Sequence, residues 1–398
     1  MKNREFKKGM LAGAAVVLAV GGIGYQGVSA IQYEKDSVLS DSRHTDKIKY
    51  LEKLIDECYL EEKDEEALAE GMYAGLIAGL KDPYSRYYTA KEYQEETTVT
   101  DGAYVGIGVQ LMKDEDGKVR VMECYEGGPG EKAGIRKGDF LTAVNGMNIS
   151  EYSVDEVADM IRKSDGGSVV LTIEREQSDT LLDIPVTLED VRLPSVFHEM
   201  LDKKTGYIQI AEFSGVTYEQ YMEAFEDLQN QGMGRLIIDL RDNPGGLLNA
   251  VCDILEEILP EGLIVYMEDK YGNREEHTCK GEHPLDIPLA VLVNEESASA
   301  SEIFAGAVQD YGIGTIVGVR TYGKGVVQSI HELNDGSAVK LTVSKYYTPN
   351  GNDIHKVGIQ PDVEVELDPE LRELEEYSRE QDNQLQKALE VLDMEEAF

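Results

Sequence analysis

The chain has 398 residues with 77 Asp and Glu against 38 Lys and Arg, a formal charge of −39. That balance excludes an electrostatic nucleic-acid binder, because a phosphate backbone repels a surface of its own sign. Apolar residues make up 41% and aromatics 7%, which excludes wholesale disorder and, at this length, calls for two or three domains. Cys58, Cys124, Cys252 and Cys279 lie far apart with no C-x-x-C pair, so neither a zinc ribbon nor a disulfide-dense scaffold is expected and the four are read as thiols.

Residues 1–30 read as a targeting segment. Lys2, Arg4, Lys7 and Lys8 precede an uncharged run from Met10 to Val28, the pattern of an export signal or of a single membrane anchor. Val28-Ser29-Ala30 offers a small residue for cleavage, while the run is also long enough to span a bilayer. On either reading the chain leaves the cytoplasm, and its acidic body suits an aqueous compartment beside an anionic membrane that would repel it.

Residues 44–80 show helical spacing, with Ile48, Leu51, Leu54 and Ile55 followed by Leu68, Met72, Leu76 and Leu80, ending at Asp82-Pro83. From Tyr104 to about Val191 the texture turns to short β-rich runs, Gly106 to Leu111, Val119 to Cys124 and Val169 to Arg175. One helix lies among them, opened by a capping box at Ser153-Val154-Asp155-Glu156. After Pro194, strands at Tyr207–Ile210, Leu236–Leu240 and Leu289–Val293 alternate with helices near Tyr218–Leu228, after Gly246 and at Glu302–Val308. This is the pattern of a layered α/β domain. The tail beyond Asp368, rich in Glu, Leu and Gln, is expected as an exposed acidic helix with few partners.

Several short patterns imitate well-known sites. Gly318 to Lys324 matches G-x-x-x-x-G-K, but Gly325 follows where a phosphate loop needs a hydroxyl for magnesium. His198-Glu199 and His331-Glu332 lack a second His four positions on, so no zinc-protease helix forms. Ser337-Ala-Val-Lys340 fits S-x-x-K on an alternating strand, which puts the two side chains on opposite faces and reads as an ordinary strand.

The informative stretch is Asn294 to Phe304, containing Ser297, Ser299 and Ser301 directly after the apolar strand Leu289–Val293. A strand-to-helix elbow is expected there. Ser299 with Glu302 fits a capping box, so the plain reading makes Ser299 a helix cap. The chemical reading notes that a serine at a helix start sits beside free N–H groups and a positive helix end, where a developing oxyanion is stabilised. No histidine offers an evident base, whereas Lys324 between Gly323 and Gly325 can approach another segment closely and, if buried, titrates lower. A solvated turn lysine is its plain alternative.

These residues resemble the carboxyl-terminal processing peptidases, serine proteases with a Ser-Lys-Gln site and an inserted PDZ domain. The likeness rests on Asp82-Pro83-Tyr84-Ser85-Arg86-Tyr87, on Gly206-Tyr207-Ile208 with Phe213-Ser214, on Asp239 to Gly246, on the serine and lysine segments, and on Tyr346-Tyr347-Thr348-Pro349-Asn350-Gly351. It implies Ser299 as nucleophile, Lys324 as base, Gln328 as the orienting amide, and an oxyanion hole from Ala300 with Gly245 or Gly246. It implies a PDZ carboxylate loop at Gly106, Ile107, Gly108 and Val109, where successive N–H groups face a peptide terminus that adds as a strand.

The implied organisation is a targeting segment at 1–30, a helical segment at 31–99, a PDZ domain at 100–188, a crotonase-like or ClpP-like α/β protease core at 189–368, and an acidic helical tail at 369–398. The resemblance implies an exported endopeptidase needing no cofactor or metal. It would act on proteins or peptides with accessible C-termini, be gated by its PDZ domain, and form a homodimer through the terminal regions. A catalytically silent PDZ scaffold on the same fold is the rival.

Overall fold

A computed structural model of the chain describes residues 38–395 apart from 115, 177–179, 373 and 375–376. The targeting segment expected at 1–30 lies outside the described residues, among which no helix is long and apolar enough to cross a membrane. The helical lead-in is a pair of helices, α1 (Ser42–Cys58) and α2 (Glu65–Ala78). Asp41 caps α1 by accepting the Arg43 N–H at 3.0 Å.

Next come β1 (Arg86–Tyr88) and α3 (Ala90–Asp101). Helix α3 opens with a capping box, Glu92 N–H to Thr89 Oγ1 at 3.3 Å and Thr89 N–H to the Glu92 carboxylate at 2.9 Å. It closes on Gly102 at φ 64°, a left-handed cap that glycine adopts without strain.

The β-rich module follows as β2 (Ala103–Gly106), β3 (Val109–Lys113), β4 (Val119–Cys124), α4 (Pro129–Ala133), β5 (Phe140–Val144), β6 (Met147–Asn148), α5 (Val154–Arg162), β7 (Ser168–Glu174), β8 (Leu182–Thr187) and β9 (Glu189–Arg192). Its sheet runs β3-β4-β5-β7-β8 with β6 on β5, and a separate antiparallel pair, β2 with β9, forms the stalk by which the chain enters and leaves. Alternation sets its core: Val169, Leu171 and Ile173 of β7 point in, against Val121, Leu141, Val157 and Ile161.

The remainder is β10 (Val196–Met200), β11 (Thr205–Ile210), α6 (Thr217–Asn230), β12 (Arg235–Asp239), α7 (Leu248–Glu256), β13 (Gly262–Asp269), β14 (Arg274–Cys279), β15 (Leu289–Val293), α8 (Ala300–Tyr311), β16 (Thr315–Gly318), β17 (Val326–Glu332), β18 (Ala338–Tyr347), β19 (Val363–Glu364) and α9 (Asn383–Glu395). One sheet has the order β10-β11-β12-β15-β16-β19, parallel throughout except for β10. A second, antiparallel sheet has the order β1-β18-β13-β14 with β17 on β18. Because β1 pairs with β18, the β-rich module is inserted within the α/β body.

Strands β12 and β15 are buried at every position, as parallel strands covered on both faces must be. Leu236, Ile238, Val291 and Val293 meet Phe304 and Val308 of α8 and Leu255 of α7. Ile237, Ala290, Leu292 and Val317 meet Leu385, Ala388 and Leu392 of α9. This corrects the expectation of an exposed acidic tail with few partners: Glu390 and Asp393 of α9 are exposed while its Leu/Ala stripe packs on the second face of the sheet.

Candidate active site

Strand β15 ends at Val293 and α8 begins at Ala300, so the expected elbow is present. Its flanking serines hold it in place. Ser297 Oγ donates to the Leu240 carbonyl at 2.7 Å and accepts the Asn294 N–H at 2.9 Å. Ser301 Oγ donates to the Asn243 carbonyl at 3.0 Å. Both tie the elbow to the loop after β12. Between them Ser299 adopts φ 54°, ψ −111°, a conformation that costs about 1–3 kcal/mol for a residue with a Cβ and persists only where its surroundings enforce it.

The enforcement comes from Glu302. Its fully buried carboxylate accepts the Ser299 N–H at 2.9 Å, the Thr321 hydroxyl at 2.6 Å, the Gly323 N–H at 2.7 Å and the Lys324 N–H at 2.8 Å. Burial lifts its pKa above the ordinary carboxylate value against the downward pull of these donors. Tyr346 adds a second clamp: its buried hydroxyl lies 2.9 Å from the Ser299 carbonyl and 2.5 Å from the Lys324 carbonyl. The capping-box spacing marked Glu302 as a cap partner, but its grip on the lysine loop is long-range and carries no local signal. Tyr346 was visible only as part of the Tyr346-Tyr347-Thr348-Pro349 motif.

The glycines around Lys324 serve close approach. A Cβ at Gly325 would lie 2.4 Å from the His355 nitrogen, and Gly323 holds φ 89° against the main chain of Val357 and Gly358. The half-buried Lys324 amine rests 5.4 Å from the centre of the Tyr84 ring. Burial lowers its pKa, the charge of Lys340 lowers it further, and Glu302 and Glu96 oppose both. Gln328, on β17, directs its amide to the Val326 carbonyl at 3.2 Å and Thr342 Oγ1 at 3.4 Å.

The loop after β12 completes the arrangement. Gly245 sits at φ 103°, and a Cβ there would lie 2.7 Å from Ser299 Cβ and 2.9 Å from the Ala300 nitrogen. Its N–H is already donated to Asn243 Oδ1 at 2.8 Å. Phe213 N–H to Gly245 O at 2.8 Å and Leu247 N–H to Phe213 O at 2.6 Å fix the loop on either side of Gly246. Among the described residues nothing accepts from the N–H of Gly246 or of Ala300. Ser299, Ala300, Gly245, Gly246, Lys324 and Gln328 line one cleft of about 480 Å³, and Ala300 is the first residue of α8, at its positive end.

The residues expected to form a carboxylate loop lie elsewhere. Gly106 ends β2, Gly108 holds φ 66°, and the carbonyls of Ile107 and Gly108 accept the N–H groups of Gly130 at 2.7 Å and Tyr125 at 3.0 Å. Gly106, Ile107 and Val109 line a largely apolar groove of about 240 Å³ with Leu111, Ile161 and Tyr104.

Residues 204–365 match the model of peptidase family S41, residues 120–175 that of the PDZ domain, and residues 10–92 that of the N-terminal domain of the activating protease CtpB. A carboxyl-terminal-processing protease of Synechocystis is 38% identical over 322 residues, 80% of this chain and 75% of that one. The carboxy-terminal processing protease CtpA of Bacillus subtilis is 34% identical over 342 residues, 86% of this chain and 73% of that one. The chain belongs to peptidase family S41, the carboxyl-terminal-processing proteases. The solved photosystem II D1 C-terminal processing protease is 30% identical, with 80% of this chain and 86% of that one covered at a TM-score of 0.47. In this peptidase the S41 match spans the cleft residues Gly245, Gly246, Ser299, Ala300, Lys324 and Gln328. The PDZ match runs from β4 into the residue after β7, inside the inserted module.

Proposed function

We propose that this peptidase is an exported serine endopeptidase that cleaves proteins near their C-termini. Ser299 is the nucleophile, Lys324 the general base, and the Gly246 and Ala300 N–H groups the oxyanion donors. The observation that carries the reading is the clamp of Glu302, which binds a strained serine and the lysine loop at one cleft beside two unengaged N–H groups. Of the two glycines, Gly246 is favoured because the Gly245 N–H is occupied by Asn243.

In the proposed cycle the neutral Lys324 amine accepts the hydroxyl proton as Ser299 Oγ bonds to the scissile carbonyl carbon, and the negative oxygen settles on the two N–H groups. Collapse breaks the C–N bond, with the proton passing from Lys324 to the departing amine. Water then attacks the acyl ester, giving its proton to Lys324, which passes it to Ser299 Oγ as the ester C–O bond breaks and the carboxylic acid product leaves. The amine rests on Tyr84 in the structure, so the cycle begins with its swing toward Ser299. Gln328 is assigned the orienting role once the amine has moved, since its amide borders the same cleft.

We propose bounds of 100–188 for the PDZ domain, between a helical segment and a protease core at 189–368, and propose that it takes the substrate C-terminus at Gly106, Ile107, Gly108 and Val109 and gates cleavage. Export and tethering rest on the basic and apolar pattern of residues 1–30. With Leu385, Ala388 and Leu392 committed to the chain's own sheet, a homodimer contact is proposed for the lead-in helices, where Tyr50, Leu51, Met72 and Tyr73 remain exposed. The test is cleavage of an unfolded protein with an apolar C-terminus: Ser299→Ala and Lys324→Ala each abolish it, and retained cleavage in both overturns the assignment.

A further inference from the structure

The β17–β18 face that carries Gln328 extends beyond it. Ile330 and Lys340 are opposed across the two strands and line the same cleft as Ser299 and Lys324. Lys340 closes the Ser337-Ala-Val-Lys340 pattern read above as an ordinary strand, yet the residue borders this cleft with Glu96, which its amine meets. There it lies 2.7 Å from Glu96 Oε1 and 3.5 Å from the Tyr88 hydroxyl. The side chains of Lys340 and Glu96 are only 26% and 31% exposed. An ion pair so poorly hydrated costs desolvation energy that its own attraction barely repays, so stability alone is a weak reason for it.

Its location suggests another reason. Lys340 is fixed on a sheet strand, whereas Glu96 is carried by α3, the helix that leads through Gly102 into β2 of the PDZ domain. Resting on the Ser-Lys reading above, we propose that Lys340 is an electrostatic positioning residue for the Lys324 amine, holding it in the proton-accepting form, and that Glu96 is the counter-charge that masks this action.

The groups facing Lys324 make the balance explicit. Glu302 of α8 and Glu96 of α3 favour its charged form, and Lys340 of β18 disfavours it. Tyr84 presents its ring to the amine, and Glu212 lines the cleft from the loop after β11. Tyr346 is engaged with the carbonyls of Ser299 and Lys324. The 355–358 segment, with His355 and Lys356, packs on Gly323 and Gly325, and Asp82 lies near enough to His355 to act on it. Among these Lys340 is the one cation that borders the cleft with Lys324. In a poorly hydrated cleft two like charges repel strongly, so a permanent charge on Lys340 works against a second one on Lys324. The pair does stay ionised: Glu96 titrates below the ordinary carboxylate value and Lys340 above that of lysine, each held by the other against burial.

The test is the pH profile of kcat/KM on a quenched fluorescent peptide ending in an apolar residue. Lys340→Met is expected to move the acid limb up by about one unit, a loss of about tenfold below the limb that vanishes at alkaline pH. Lys340→Arg is expected to restore the original limb. Glu96→Gln leaves the sheet untouched and is expected to move the limb the opposite way, raising activity several-fold at acid pH. A purely structural role would lower the whole profile without displacing it. A limb unmoved in both Lys340→Met and Glu96→Gln overturns the inference, and if Ser299→Ala and Lys324→Ala are inactive in the same assay, the Ser-Lys reading survives that failure. Cleavage persisting in Ser299→Ala and Lys324→Ala defeats the underlying reading and the inference with it.

Discussion

One oxygen of Glu302 accepts the Ser299 N–H at 2.9 Å and the Lys324 N–H at 2.8 Å. Two segments far apart in the chain are thereby held by a single buried atom, and both carry the side chains proposed for catalysis. A displacement of this carboxylate shifts both together.

Glu302→Gln tests that dependence. An amide can keep one acceptor, but its NH₂ must then face N–H or O–H donors now served by the second oxygen. Leaving such buried groups unpaired costs about 1–3 kcal/mol. We expect a lowered melting temperature with a folded protein and kcat/KM reduced by about 10²-fold or more, because both groups proposed to react lose register. Activity within twofold of wild type would show that the clamp does not position the site.

Gly245 and Gly246 should fail in different ways. At Gly245 an added methyl would meet the Ala298 carbonyl oxygen and Ser299 Cβ at 2.7 Å and the Ala300 nitrogen at 2.9 Å, so Gly245→Ala crowds the space proposed for the oxyanion. A loss of about 10²–10³ in kcat is expected, the scale of a lost oxyanion donor, with a fall in melting temperature from the Ala298 and Ala300 backbone contacts and the φ of 103°. At Gly246 the methyl would lie 2.2 Å from the Phe213 carbonyl oxygen, inside the bridge that anchors the loop, so Gly246→Ala should lose stability as well. Thermal melts and burst kinetics on both variants separate the two effects.

The elbow was legible because the apolar run Leu289–Val293 stops at polar turn chemistry and a cap spacing begins at Ser299. Gly245, Gly246 and Ala300 entered only through the resemblance of the Asp239 to Gly246 and serine segments to the family's motifs. What could not be read locally depends on which surfaces pack together. Glu302 reaches Thr321 and Gly323 only because α8 lies beside the loop after β16. Lys340 faces the cleft because β18 pairs with β17 on one side and β1 on the other. The α9 helix carries enough acid to resemble a solvated tail, and only the packing of Leu385, Ala388 and Leu392 on the parallel sheet reveals its partner.

That packing gives a test on α9. Leu392 is fully buried in the cluster with Ile237, Ala290 and Leu292. Leu392→Ala should destabilise by about 2–5 kcal/mol, the usual cost of emptying a core leucine site. Denaturant unfolding would read this directly; a change under about 0.5 kcal/mol, typical of surface positions, would return α9 to the role of exposed tail.

The lowered pKa of Lys324 also has a consequence for stability, with a sign that can be worked out. The unfolded chain holds this lysine near 10.5, and the fold lowers it by burial and by the Lys340 charge. Below the folded value the native state carries a charge its surroundings disfavour, so Lys324 costs stability there. The cost shrinks as pH rises through the folded value toward 10.5 and is gone above it, where both states are neutral. Lys324→Met should therefore be inactive yet more stable than wild type at neutral pH, with the advantage narrowing as the solution is made alkaline. Melting temperatures of the two proteins from pH 6 to 10.5 check this, and a difference that is constant or grows with pH would mean that the amine is not held against its charge.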